Sequence, residues 1–153
     1  MMSRTPLHIA RVSDDDPPKI DVLRSNDIAQ GFLEVAIELW RLAGHDDRAN
    51  AIEKLITSAY RTNPPRWDRA QITRLRELLD GIDQAVIGPI TDEQRMLSRE
   101  KIEDLRGRVE AIDIDNYERA DPRYAIQSAL VYIDRLRDIA DDALANDACI
   151  LFD

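Results

Sequence analysis

Apolar residues recur at helical spacing in five successive stretches between residues 26 and 146, and the joints between the stretches are short. Short joints make neighbours in sequence antiparallel, so this patterning constrains the chain more tightly than any motif it carries. The expectation is an all-α fold, a single-domain antiparallel bundle of about five helices. A short, flexible or loosely attached N-terminal arm is expected over residues 1–24, the helical domain over 25–153, and an apolar tail at the C-terminal end. At 153 residues the chain is long enough for one well-covered core.

The first stretch starts at Ser25 or Asn26, either of which suits an N-cap, and runs to Gly44, which suits a left-handed terminal position. Its apolar set from Ile28 to Leu42 covers most of the circumference and leaves Gln30, Glu34, Glu38 and Arg41 as a narrow polar stripe, so this helix belongs in the middle. The second runs from Asp46 or Asp47 to Tyr60 and is stopped by Asn63-Pro64-Pro65. The third spans residues 67–87 on Ile72, Leu75, Leu79 and Ile82. The fourth opens on Thr91 and Gln94, a capping-box pair, and carries Ile102, Leu105, Val109 and Ile112. The fifth begins at Asp121-Pro122 and continues to about Asn146. Residues 7–12 alternate as a short strand would, but Asp14-Asp15-Asp16-Pro17-Pro18 interrupts at once, and an arm is the expectation there.

Composition bounds the function. The chain carries 30 acids and 21 bases for a net charge of −9, which argues against nucleic acid as a partner. Eighteen of those bases are arginine, the bias of a GC-rich bacterial genome. No stretch approaches the ~20 apolar residues of a membrane span, and the first residues lack the apolar run of a signal peptide. Cys149 is the single cysteine, so no internal disulfide forms. A cytoplasmic protein with no membrane association is expected, and Cys149, within Ala148-Cys149-Ile150-Leu151-Phe152, is expected to pack as a small hydrophobe.

Catalytic chemistry finds little support. His8 and His45 are the only histidines and stand in no metal-binding spacing, so no metal, cofactor or catalytic residue is assigned. Asp113-Ile114-Asp115 opens like a calcium loop, but Glu118 stands where that loop requires glycine. Glu34 and Glu38 lie one turn apart on the first helix, and Glu77 and Asp80 three apart on the third. Four carboxylates on two facing helices resemble the all-α nucleotide pyrophosphohydrolases, although Glu34 and Glu38 are spaced by four where that pattern has three. The resemblance implies a magnesium-dependent nucleotide hydrolase and is the alternative reading. Arg61, Arg66, Arg69, Arg74 and Arg76 surround Trp67, an arrangement that suits phosphate or base stacking, but Asp68, Glu77 and Asp80 lie among them and a surface salt-bridge network is expected.

The strongest functional signal is acidic. Ten acids and four bases between residues 113 and 153 leave −6 of the net −9 there. Asp113, Asp115, Tyr117, Glu118, Asp121 and Tyr124 precede or open the last helix, and Asp138 and Asp142 lie along it. Like charges so concentrated repel one another, so a basic protein surface is the partner they suit, with the tyrosines as anchors. The expected function is that of an acidic bacterial immunity or antitoxin protein, not an enzyme, that binds a basic toxin domain and occludes its active site. A helical adaptor whose groove binds a helix through the apolar tail is a further alternative.

Overall fold

The computed structural model describes residues 4–87 and 122–153; the side chains of residues 25–27, 87 and 122–128 lie outside that description. The fold is mixed α/β, which corrects the all-α helical-bundle expectation. The described elements are β1 (Pro6–Val12), β2 (Ile20–Ala29), α1 (Gly31–Leu42), α2 (Asp46–Ala59), β3 (Arg66–Trp67), α3 (Arg69–Leu79), α4 (Ile82–Ile87), α5 (Pro122–Ala145) and β4 (Cys149–Phe152). The strands form one antiparallel sheet in the order β2-β1-β4-β3.

The expected N-terminal arm and the apolar C-terminal tail both contribute strands to this sheet. Residues 6–12, read as part of an arm, form β1, which pairs with β2 on one side and with β4 on the other. The alternation of Leu7 and Ile9 points both side chains into the core, where Ile150 and Phe152 of β4 join them. Ala10 and Leu151 lie on the other face of the same strands and are also buried. A strand buried on both faces reads as a continuous apolar run, and the run from Ala148 to Phe152 is β4 for that reason.

The helices follow the predicted periodicity more closely. α1 buries every residue except Glu34, Glu38, Arg41 and Leu42 and packs on α2, α4 and α5. It starts at Gly31 rather than at Ser25 or Asn26, because β2 continues to Ala29. Gly44, with φ of +84°, reverses the chain into α2. Gly81, with φ of +78°, divides the expected third helix into α3 and α4. Asp68 caps α3 by accepting from the Gln71 backbone N–H, and the Gln71 side chain accepts from the Asp68 N–H in return. The fourth expected helix lies outside the described residues.

Two tryptophans join the layers. Trp40 is buried and donates its Nε1–H to the Leu78 carbonyl at 2.8 Å. Trp67 is fully buried, donates to the Leu55 carbonyl at 2.7 Å, and meets the Phe152 ring edge-to-face at 4.8 Å. Indole rings bury large apolar area only when the N–H finds an acceptor, and both do. One core cluster therefore runs from Leu7 to Phe152.

Candidate functional site: the open edge of the sheet

β1 and β2 form a hairpin in which β2 is the outer strand of the sheet. Residues 20–24 are all exposed, including Ile20 at 48%, Val22 at 44% and Leu23 at 39%. Large apolar side chains grouped this way on an edge strand mark a surface that another chain can use.

The hydrogen-bond pattern fixes which backbone groups face outward. The hairpin loop closes by a bond from the Ser13 N–H to the Lys19 carbonyl at 2.9 Å, with Lys19 N–H donating to Ser13 Oγ at 2.8 Å. Bonded and non-bonded pairs alternate along an antiparallel ladder. Val12–Ile20 is then a non-bonded pair, Arg11–Asp21 a bonded one and Ala10–Val22 a non-bonded one. The backbone N–H and C=O of Ile20 and Val22 consequently point away from β1. The other side of β1 agrees, since the Pro6 carbonyl accepts from Asp153, so the even-numbered residues of β1 serve β4 and the odd-numbered ones serve β2. Among the described residues no strand pairs with this outer edge.

Two features bound the open stretch. Pro17 and Pro18 precede it, and a register shift between Ile9 and Ala10 makes Leu23 an extra residue after Val22. Arg24, beyond the bulge, turns back to the helical face and pairs with Asp142 of α5. Lys19 and Asp21 alternate with Ile20 and Val22, so one face of the edge is apolar and the other carries one charge of each sign.

The acidic residues expected to form the docking surface divide differently. Asp113, Asp115, Tyr117, Glu118 and Asp121 lie outside the described residues, as does the Tyr124 side chain, although Tyr124 itself is in the first turn of α5. Asp138 is exposed on α5. Asp142 pairs with Arg24, Asp141 with Arg76 at 2.9 Å, and Asp134 with Arg137 at 2.9 Å. Most of the acids described on this helix thus meet arginines of the same chain.

Glu34 and Glu38 are half-buried on α1, Glu77 pairs with Arg74, and Asp80 pairs with Arg76. They join no group of three or more candidate metal ligands among the described residues. In the arginine cluster, Trp67 is in the core and has no ring face left for stacking. Arg74 and Arg76 reach acids, and Arg69 is 3.6 Å from Asp147. No family model, curated protein or solved structure matches the chain.

The sheet face away from the core carries His8, Cys149 and Arg66. His8 stands opposite Leu151 and Cys149 opposite Ala10, so the imidazole and thiol are diagonal neighbours. His8 Nε2 lies 3.7 Å from Asp153 Oδ2, and its Nδ1 is buried without a hydrogen-bond partner. The Cys149 thiol donates to the Ala10 carbonyl at 3.1 Å, and burial pushes it up from the usual thiol range, partly offset by Arg66. A reactive cysteine needs the opposite shift, so this thiol is held as a packed donor. No helix among the described residues is long and apolar enough to cross a membrane.

The residues missed from sequence are Lys19, Ile20, Asp21, Val22 and Leu23. Their signal was a β-branched pair after Pro17-Pro18, and the bulge at Leu23 hid the alternation that would have marked it as a strand.

Proposed function

We propose that this chain is a protein-binding protein rather than a catalyst, and that it recognises its partner by strand addition at the outer edge of β2. The observation that carries this is the run of outward backbone groups at Ile20 and Val22 beside their exposed side chains. Added strands gain affinity from main-chain hydrogen bonds and specificity from alternate side chains. A photo-crosslinking benzoylphenylalanine placed at Ile20, irradiated in cells of the source organism, should give a discrete adduct that Val22→Pro removes. Absence of any adduct, or an adduct indifferent to Val22→Pro, would exclude the edge as the binding surface.

A second reading concerns a basic partner. Asp14, Asp15 and Asp16 are exposed in the hairpin loop, Asp138 is exposed on α5, and the net charge is −9. These favour a cytoplasmic protein of the immunity or antitoxin kind that meets a basic toxin domain, with charge raising the rate of encounter. Neutralising Asp14, Asp15, Asp16 and Asp138 together should slow that association at low salt and leave the melting temperature unchanged.

A further inference from the structure

The outer edge of β2 has a charge pattern that selects its occupant. A basic strand would meet Asp21 but also Lys19 and the exposed Arg11 beside it, so the edge itself offers such a strand no net attraction. A second copy of the same edge, running antiparallel, presents the same charges in reverse order.

Three registers join the outward-facing Ile20 and Val22 across a twofold axis. Placing Ile20 against Val22 of the other chain sets Asp21 directly opposite Asp21, which like-charge repulsion disfavours. Placing Val22 against Val22 sets Asp21 opposite the bulged Leu23, and Ile20 opposite an Arg24 already paired with Asp142. Placing Ile20 against Ile20 sets each Asp21 opposite the other chain's Lys19. The two Ile20 residues then exchange main-chain bonds, and each Val22 N–H donates to the other chain's Pro18 carbonyl. Pro18 has no N–H to return, so the ladder ends there; the Leu23 bulge stands just past Val22, and both edges are consumed.

We propose that β2 pairs antiparallel with β2 of a second copy, Ile20 opposite Ile20 and Asp21 opposite the other chain's Lys19, closing a twofold dimer. This rests on the reading of the edge as the docking surface and names what docks there. The paired stretch is short, which makes the dimer a weak one, of the class that buries less than ~1,200 Å². Because the strands meet near their hairpin loops, the two helical layers extend away from the junction in opposite directions.

Sedimentation equilibrium of the full chain from about 1 µM to about 1 mM tests it. The expected mass rises from 17.5 kDa towards twice that. Val22→Pro, which removes an outward N–H and no β1 bond, should remain monomeric with an unchanged circular-dichroism melt. Lys19→Asp and Asp21→Lys should each weaken self-association by about tenfold or more, because each brings like charges opposite one another twice. An equimolar mixture of those two variants should regain the dimer, since every cross-strand pair is then of opposite sign. A wild type that stays monomeric throughout overturns the proposal, and so does a mixture that associates no better than its separate components. In either case an Ile20 adduct to a different protein would leave the edge-binding reading standing, whereas loss of that adduct as well would remove both.

Discussion

Arg24 of β2 pairs with Asp142 of α5 and, together with the Arg11 guanidinium that donates to the Asn146 carbonyl at 2.9 Å, ties the hairpin to the end of the helical layer. Arg24 is well exposed and the carboxylate about a quarter exposed, so water screens much of their attraction. Asp142 also accepts from the Asn146 side chain at 3.0 Å, which fixes the last turn of α5. An acid engaged in this way supports the fold and is poorly available to an outside partner.

Asp142→Ala should accordingly lower stability by no more than about 1 kcal/mol in urea unfolding. Its larger effect should be local. Amide exchange should speed up in residues 20–24 while that of α1 stays unchanged. Equal acceleration throughout the chain would mean that the pair stabilises the whole fold.

Trp67 stands among five arginines in the sequence, but its ring lies in the core. Trp67→Ala should cost about 3–5 kcal/mol, a large part of a domain's ~5–15, and Trp40→Ala a similar amount. Trp67→Phe separates the ring from its N–H. It keeps much of the contact with Phe152 but removes one of two donors to the Leu55 carbonyl, which still accepts from Ser58 Oγ at 2.6 Å, for about 0.5–1.5 kcal/mol in the same measurement. A surface-stacking role would predict almost no cost for either change at Trp67.

The same contrast explains what could be read in the sequence. α1 was legible because a helix apolar nearly all round has one place to go, and α2, α3 and α5 carried enough turns for their period to show. β4 was not legible, since four residues buried mostly on both faces have no period at all. β1 showed its alternation, but strand pairing is non-local, and its partners lie about 140 residues away in β4 and across a Pro-Pro loop in β2. In β2, exposure on both faces and the extra residue at Leu23 erase the two-residue repeat, and Ser25 and Asn26 read equally well as helix caps. The candidate edge was invisible for the same reason. It is a property of pairing, and only the register shows which backbone groups are left over.

Ile150 offers a direct test of the sheet. In β4 it is fully buried and stands between Ile9 and Trp67, a place that has no room for a charge. Ile150→Asp should therefore abolish cooperative unfolding near neutral pH, because an unpaired buried carboxylate costs several kcal/mol against a small total stability. Asp at the exposed Val131 should change stability by less than about 0.5 kcal/mol and serves as the control.

Cys149 gives the last prediction, in its pH dependence. Burial disfavours the thiolate, so the folded chain holds the thiol above its ordinary range, with Arg66 pulling the other way. The thiol form is thus favoured by folding. That contribution is fully present below the unfolded-state value and is lost as the pH rises through the folded one. Alkylation by iodoacetamide, followed by mass spectrometry across pH 7 to 10, should show a midpoint higher in the native chain than in urea. Arg66→Ala should move the native midpoint higher still, because a nearby cation that stabilises the thiolate is gone. A native midpoint below that of the unfolded chain would make Cys149 an activated nucleophile, and the face shared with His8 and Asp153 would then become the surface to test for catalysis.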